Sequence, residues 1–197
     1  MFKRLSHTFQ SWSTPVTAGL AAAVFLSFLV FFLPRQASRS EAVLGDQPSP
    51  DTSLIYSGEE LYGLAKTYGE QGRAYYIQAR FTFDLVFPLA YAIFLTIWIS
   101  LALKRISLQA AAWDLVNLLP AAGMLFDFLE NISTSVVMTA YPQRAPFFQA
   151  TAPAFTLIKW IFVYGSFAVL AAVLLGWGYS SVKKRLGNTP ASPGTGD

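Results

Sequence analysis

The chain has 197 residues, of which 54% are hydrophobic and only 13% charged, against about 25% charged in an ordinary soluble domain; this is the composition of an integral membrane protein. Cysteine is absent and His7 is the single histidine, which excludes disulfides, thiolate nucleophiles, zinc–thiolate sites, iron–sulfur clusters and multi-histidine metal or haem centres. The net charge of +3 does not point to nucleic acid, because the basic residues flank apolar runs instead of sharing one face; the partner it implies is the lipid bilayer.

Residues 1–14 form an N-terminal tail carrying Lys3 and Arg4. The first apolar span covers 15–33, opened by Thr14-Pro15, a cap followed by a proline suited to a first helical turn, and closed by Pro34. A cleaved signal peptide is the competing reading. The run exceeds the usual ~7–15 apolar residues and Gln36-Ala37-Ser38 is a poor cleavage site, so the span is read as retained. Residues 35–56 mix Pro, Ser, Asp and Glu without periodicity and read as an exposed linker.

Ser57 and Glu60 have capping-box spacing, Leu61, Leu64 and Ala65 share a helical face, and Gly69 is placed to end that helix. Such a short amphipathic helix either lies on the membrane surface or covers the bundle. A second span is expected over 79–103, ended by Lys104-Arg105, a third over 110–141 and a fourth over 153–179, before Lys183-Lys184-Arg185. Residues 187–197 are rich in Gly, Pro, Ser and Thr and are expected to be disordered. The fold class is therefore all-α: one four-helix membrane domain over 15–186. With four crossings all the basic clusters fall on one side, which puts both termini in the cytoplasm and the 34–78 segment outside.

Polar residues inside these spans mark the candidate site. A charge near the middle of a bilayer costs at least ~2.5–3.5 kcal/mol on insertion scales, so such groups face a bundle interior and find partners there. At about 100° per residue, Pro120, Gly123, Asp127, Glu130, Asn131 and Thr134 share one face of the third span. In the second span Arg80, Asp84, Pro88 and Tyr91 share another; Pro88 has no N–H for the carbonyl of Asp84, which is left free beside its own carboxylate. Counting ~1.5 Å per residue, Asp84 lies about 8 Å inward from Ala79 and Lys159 about 9 Å inward from Pro153, while Glu130 and Asn131 lie about 15 Å and Asp127 about 22 Å below Pro142. On that estimate Lys159 reaches Asp84 or Glu130, Arg80 reaches Asp84, and Asp127 lies deeper without an evident cation. Asp114 falls on a different face, near the cytoplasmic end, as a structural residue.

Three patterns, Gly69-x-x-Gly72-Arg73-x-x-Tyr76, Asp84-x-x-x-Pro88-x-x-Tyr91 and Asp127-x-x-Glu130-Asn131, resemble those of small uncharacterised bacterial four-span membrane proteins. The resemblance covers 57–180 and implies no activity, ligand or cofactor. It adds weight to Asp84, Asp127, Glu130, Asn131 and Lys159 as ligand- or ion-binding candidates, with Arg80, Pro88, Tyr91 and Arg73 in support; no metal site and no cofactor is expected. Three functions stay open: a non-enzymatic membrane module or accessory subunit, associating with a membrane-protein partner or a second copy of itself; a protein that binds or transports a small ligand, lipid, cation or proton; and a lipid-modifying enzyme. The last is disfavoured, since the bundle holds neither a histidine base nor a cysteine nucleophile.

Overall fold

Among the described residues, four segments are long and apolar enough to cross a membrane: Pro15–Leu44, Gly69–Ile106, Leu115–Ala140 and Pro146–Val182. They belong to a computed structural model that describes residues 1–106 and 111–187 and is all-helical, with no strand among the described residues. The side chain of Asp114 and the expected disordered tail, from 188 onward, lie outside the described residues.

The N-terminal stretch is a helix, α1 (Phe2–Trp12). Its Ser6 is buried and donates to Asn117 at 2.7 Å, and Asn117 donates in return to the Ser6 carbonyl and to Ser100 at 2.9 Å. Lys104 binds the Ser13 carbonyl at 3.0 Å, so α1 is fixed to the basic end of the second long segment.

The first span does not stop at Pro34. Helix α2 (Pro15–Ser27), capped by Thr14 as expected, runs through a π-helical turn at Phe28–Phe32 into α3 (Leu33–Leu44). In that wide turn the Leu33 N–H bonds the Phe28 carbonyl five residues back. The i−4 ladder is already interrupted where the proline ring arrives, so the helix continues. The expected linker 35–56 is thus helical up to Leu44, and only the rest is a connection.

Ser57 and Glu60 form the expected capping box around α4 (Gly58–Thr67), and Gly69 sits at φ 64°, ending α4 in the left-handed region. Leu61 and Ala65 of α4 are fully buried against Val137, Met138 and Ala152, so this helix covers the bundle. The second long segment starts ten residues before the expected 79, as α5 (Gly69–Arg80); after a turn at 81–82 it continues as α6 (Phe83–Ile106). The third opens with a 3₁₀ stretch at Ala111–Leu118 and becomes α-helical only in α7 (Leu119–Ala140). The fourth, α8 (Pro146–Gly187), starts before Pro153 and carries it within its first turns.

Two apolar cores result. One, around Phe25, Tyr91, Leu95, Ile99, Val163 and Leu170, lies toward the basic ends. The other, around Leu61, Ala65, Tyr76, Val137, Met138 and Ala152, lies beneath α4. The polar residues fall between them: along α7 the order is Val137, then Glu130 and Asp127, and along α8 it is Ala152, Lys159, Val163.

Pro153 offers no N–H to the Gln149 carbonyl, and Gly58 approaches that carbonyl so closely that an added Cβ would stand 2.6 Å from it. Gly63, in the exposed middle of α4, has nothing within 4 Å of the same position. Opposite outcomes are expected: Gly58→Ala should destabilise by about 1–3 kcal/mol through overpacking against backbone, and Gly63→Ala should stabilise by up to about 1 kcal/mol through helix propensity. Thermal unfolding of both variants in one detergent checks the pair; stabilisation by Gly58→Ala would contradict the close approach.

Candidate functional site

Lys159 is 2% exposed and does not snorkel. Its Nζ lies 2.5 Å from Glu130 Oε2, 2.7 Å from Asp51 Oδ1 and 3.9 Å from Asp127 Oδ1. The expected Lys159–Glu130 contact is therefore present, but no direct Lys159–Asp84 bridge forms. Asp51 stands between them and also takes Arg80 Nη1 at 3.3 Å, while Arg80 Nη2 holds Asp84 Oδ2 at 2.9 Å across one helical turn. Arg80 itself is 7% exposed and lies over the Tyr76 ring at 4.7 Å.

Asp127 is not without a cation, contrary to the depth estimate. Counting residues along each axis ignored the reach of the lysine side chain, which lets Lys159 address Glu130 and Asp127, one turn apart on α7, from α8. Asp127 Oδ2 also accepts Tyr91 Oη–H at 3.1 Å. Asn131 Nδ2 donates at 3.1 Å to the Asp84 carbonyl, the acceptor that Pro88 leaves free, and at 3.4 Å to Asp127 Oδ1. Two sequence patterns thus lock into each other across α6 and α7.

Arg73 is the candidate that the structure places elsewhere. It donates to the Ala65 carbonyl at 2.9 Å and lies over the Tyr141 ring, closing the C-terminus of α4. Its motif partner Gly72 lets α5 approach Tyr68 and Leu44, where an added Cβ would find atoms at 3.0 and 3.1 Å. That motif is structural, apart from Tyr76.

Asp51 is the residue that sequence reasoning missed. It sits in a short 3₁₀ turn, Pro50–Thr52, of the connection treated as an exposed linker. The turn is held by Trp160 Nε1–H on the Asp51 carbonyl at 3.2 Å and by Tyr68 Oη–H on the Pro48 carbonyl at 2.8 Å. Burial alone would raise the Asp51 carboxyl, but Lys159 and Arg80 beside it hold it well below the usual carboxylate range.

Carboxylate oxygens of Asp51, Asp127 and Glu130 lie within 4.8 Å of one another, a spacing able to hold a metal ion. The Lys159 ammonium takes that place. Beside it opens a cavity of about 520 Å³. Its lining brings the charged Asp51, Arg80, Asp84, Asp127 and Lys159 and the polar Gln36, Ser40, Ser49 and Thr52 together with apolar side chains, among them Phe25, Leu29 and Leu33 of the first segment and Phe83, Phe87 and Phe167. Comparison with family models, with curated proteins and with solved structures finds no match for this chain.

Removing one member of a buried ion pair costs about 3–5 kcal/mol, because the other is left uncompensated. Lys159→Ala should therefore lower the thermal midpoint in detergent far more than the exposed Lys66→Ala. Lys159→Met combined with Glu130→Gln should recover part of the loss; strict additivity for both Lys159/Glu130 and Lys159/Asp51 would dissolve the cluster as an energetic unit.

The depressed Asp51 carboxyl also sets a pH dependence. A lowered native pKa means that the unfolded chain binds more protons on acidification, so the contribution is complete above the unfolded value and fades below it. The difference in midpoint between the native protein and Asp51→Asn should be constant from about pH 7 to about pH 5 and shrink below about pH 4. A difference that grows on acidification would reverse the assignment.

Proposed function

We propose that this is a multi-pass cell-membrane protein that binds a small amphipathic ligand in the cavity beside Asp51 and Lys159 and performs no covalent chemistry on it. The observation that carries the reading is the lining of that cavity: a group of five charged side chains and four uncharged polar ones beside a larger aliphatic and aromatic surface. Its volume of about 520 Å³ lies within the range of roughly 300–1,000 Å³ typical of small-molecule pockets. A purely structural ion-pair network needs no such space.

The orientation proposed is both termini in the cytoplasm, with the cluster in the outer half. It is supported by the basic residues: Lys3, Arg4, Lys104 and Arg105 gather at one end, where Lys104 binds the Ser13 carbonyl, while the opposite end is tied by the Arg144–Glu59 pair. Non-enzymatic action is supported by the lack of histidine and cysteine at the site and by the engagement of Lys159 with three carboxylates, which removes it as a nucleophile.

A packing role also has specific support. Asn131 spends its amide on the Asp84 carbonyl, and Glu130 is 0% exposed and outside the cavity wall. These two residues serve the bundle under either reading.

Native mass spectrometry of the full chain purified in a mild detergent tests the proposal. One amphiphile per chain should be retained, and Ala37→Trp, which adds bulk at the cavity wall, should release it while leaving the thermal midpoint within a few degrees. Failure to retain any amphiphile, or equal retention by the Trp variant, would return the cluster to packing alone.

A further inference from the structure

The cluster contains four carboxylates, Asp51, Asp84, Asp127 and Glu130, and two cations, Arg80 and Lys159. Both cations are already engaged. Lys159 makes its shortest contacts with Glu130 and Asp51, and Arg80 is shared by Asp84 and Asp51. Of the three carboxylates that line the cavity, only Asp51 takes a hydrogen bond from a cation, so the surplus negative charge falls on Asp84 and Asp127.

Asp84 is 8% exposed; its Oδ2 meets only the Arg80 guanidinium, without hydrogen-bond geometry, and its Oδ1 has no donor among the described residues. Asp127 receives Tyr91 Oη–H on one oxygen, and on the other only the long 3.4 Å contact from Asn131 and the distant Lys159. An ionised carboxylate offers about four acceptor positions, so both have capacity left on their cavity side. Aromatic rings stand next to them on α6: Phe83 and Phe87 are stacked at 5.5 Å, and Tyr91 meets Phe87 edge-on at 5.9 Å. A cation near such ring faces gains further attraction.

Resting on the ligand-binding reading above, we infer that the cavity takes a single-chain amphiphile with a primary ammonium headgroup, seated against Asp84 and Asp127 with its chain along Phe25, Leu29 and Leu33. An ammonium brings three donors and the missing positive charge. An anionic headgroup would add to the surplus, and a neutral one would leave it.

The experiment titrates the full-length protein in detergent with dodecylamine, dodecanol and dodecanoic acid and reads occupancy by native mass spectrometry. Dodecylamine should saturate at one per chain and bind at least about tenfold more tightly than dodecanol, the gain expected of a charge-assisted hydrogen bond, with dodecanoate weakest. Asp84→Asn and Asp127→Asn should each shrink the amine-to-alcohol ratio, which is read within each variant. Because the three probes are compared on the unmodified protein, the outcome does not depend on the variants folding. Equal binding of amine and alcohol would mean that protons neutralise Asp84 and Asp127, and preferential binding of dodecanoate would invert the charge preference; either overturns the ammonium and leaves the ligand-binding reading standing. Absence of saturable binding by all three would overturn both.

Discussion

Lys159 brings its ammonium to a point where acidic side chains from two distant parts of the chain meet, Asp51 from the connection after α3 and Asp127 with Glu130 from α7. Taking an ion out of water costs several kcal/mol even after relaxation, and attraction repays it only when partners are close and well placed. Here the repayment depends on the connection after α3 folding inward. Trp160 and Tyr68 fix that connection through its carbonyls, and Asp51 then shares its carboxylate between Lys159 and Arg80. The loop therefore depends on α5 and α8, because the Asp51 carboxylate meets its two cations, Arg80 and Lys159, only when both helices are in place.

Proline sets the remaining geometry, and does so twice by the same means. Pro88 frees the carbonyl of Asp84, which receives Asn131 from α7. Pro153 frees the carbonyl of Gln149, against which Gly58 packs at the start of α4. A residue that would break a helix in water here leaves one backbone acceptor exposed at a defined height; a neighbouring helix donates to the one at Asp84, and Gly58 packs against the one at Gln149.

The polar face of α7 and the acceptor freed by Pro88 were legible because both follow from local rules: helical periodicity and the missing N–H of proline. Residues along one helix keep their relative positions whatever the helix packs against. Asp51 was not legible, since a turn in an apparently polar connection acquires its meaning only from the side chains it meets across the fold. Pro34 misled for a related reason. Its usual helix-ending effect is bypassed by the π turn at Phe28–Phe32, and nothing in an apolar run announces where a helix will widen. Arg73 shows the converse, a candidate chosen by resemblance whose side chain closes a helix end instead of joining the ions.

The first long segment explains why space persists beside so dense a cluster. Only 17% of its most apolar window is buried, against 56% for the segment holding α6. Phe25 anchors it, stacking on Phe94 at 4.6 Å, while Leu29 and Leu33 in and after the π turn line the cavity. Beyond the turn, Gln36 and Ser40 of α3 reach Tyr75 of α5, so the helix is attached at two places on the cavity wall and loosely packed between. A helix held at two points across a gap leaves its apolar wall continuous with the exposed apolar surface of that segment. The charged side chains, by contrast, come from four helices, α5 to α8, and a pinned loop, which makes the apolar wall the path of least desolvation for the amphiphile proposed above.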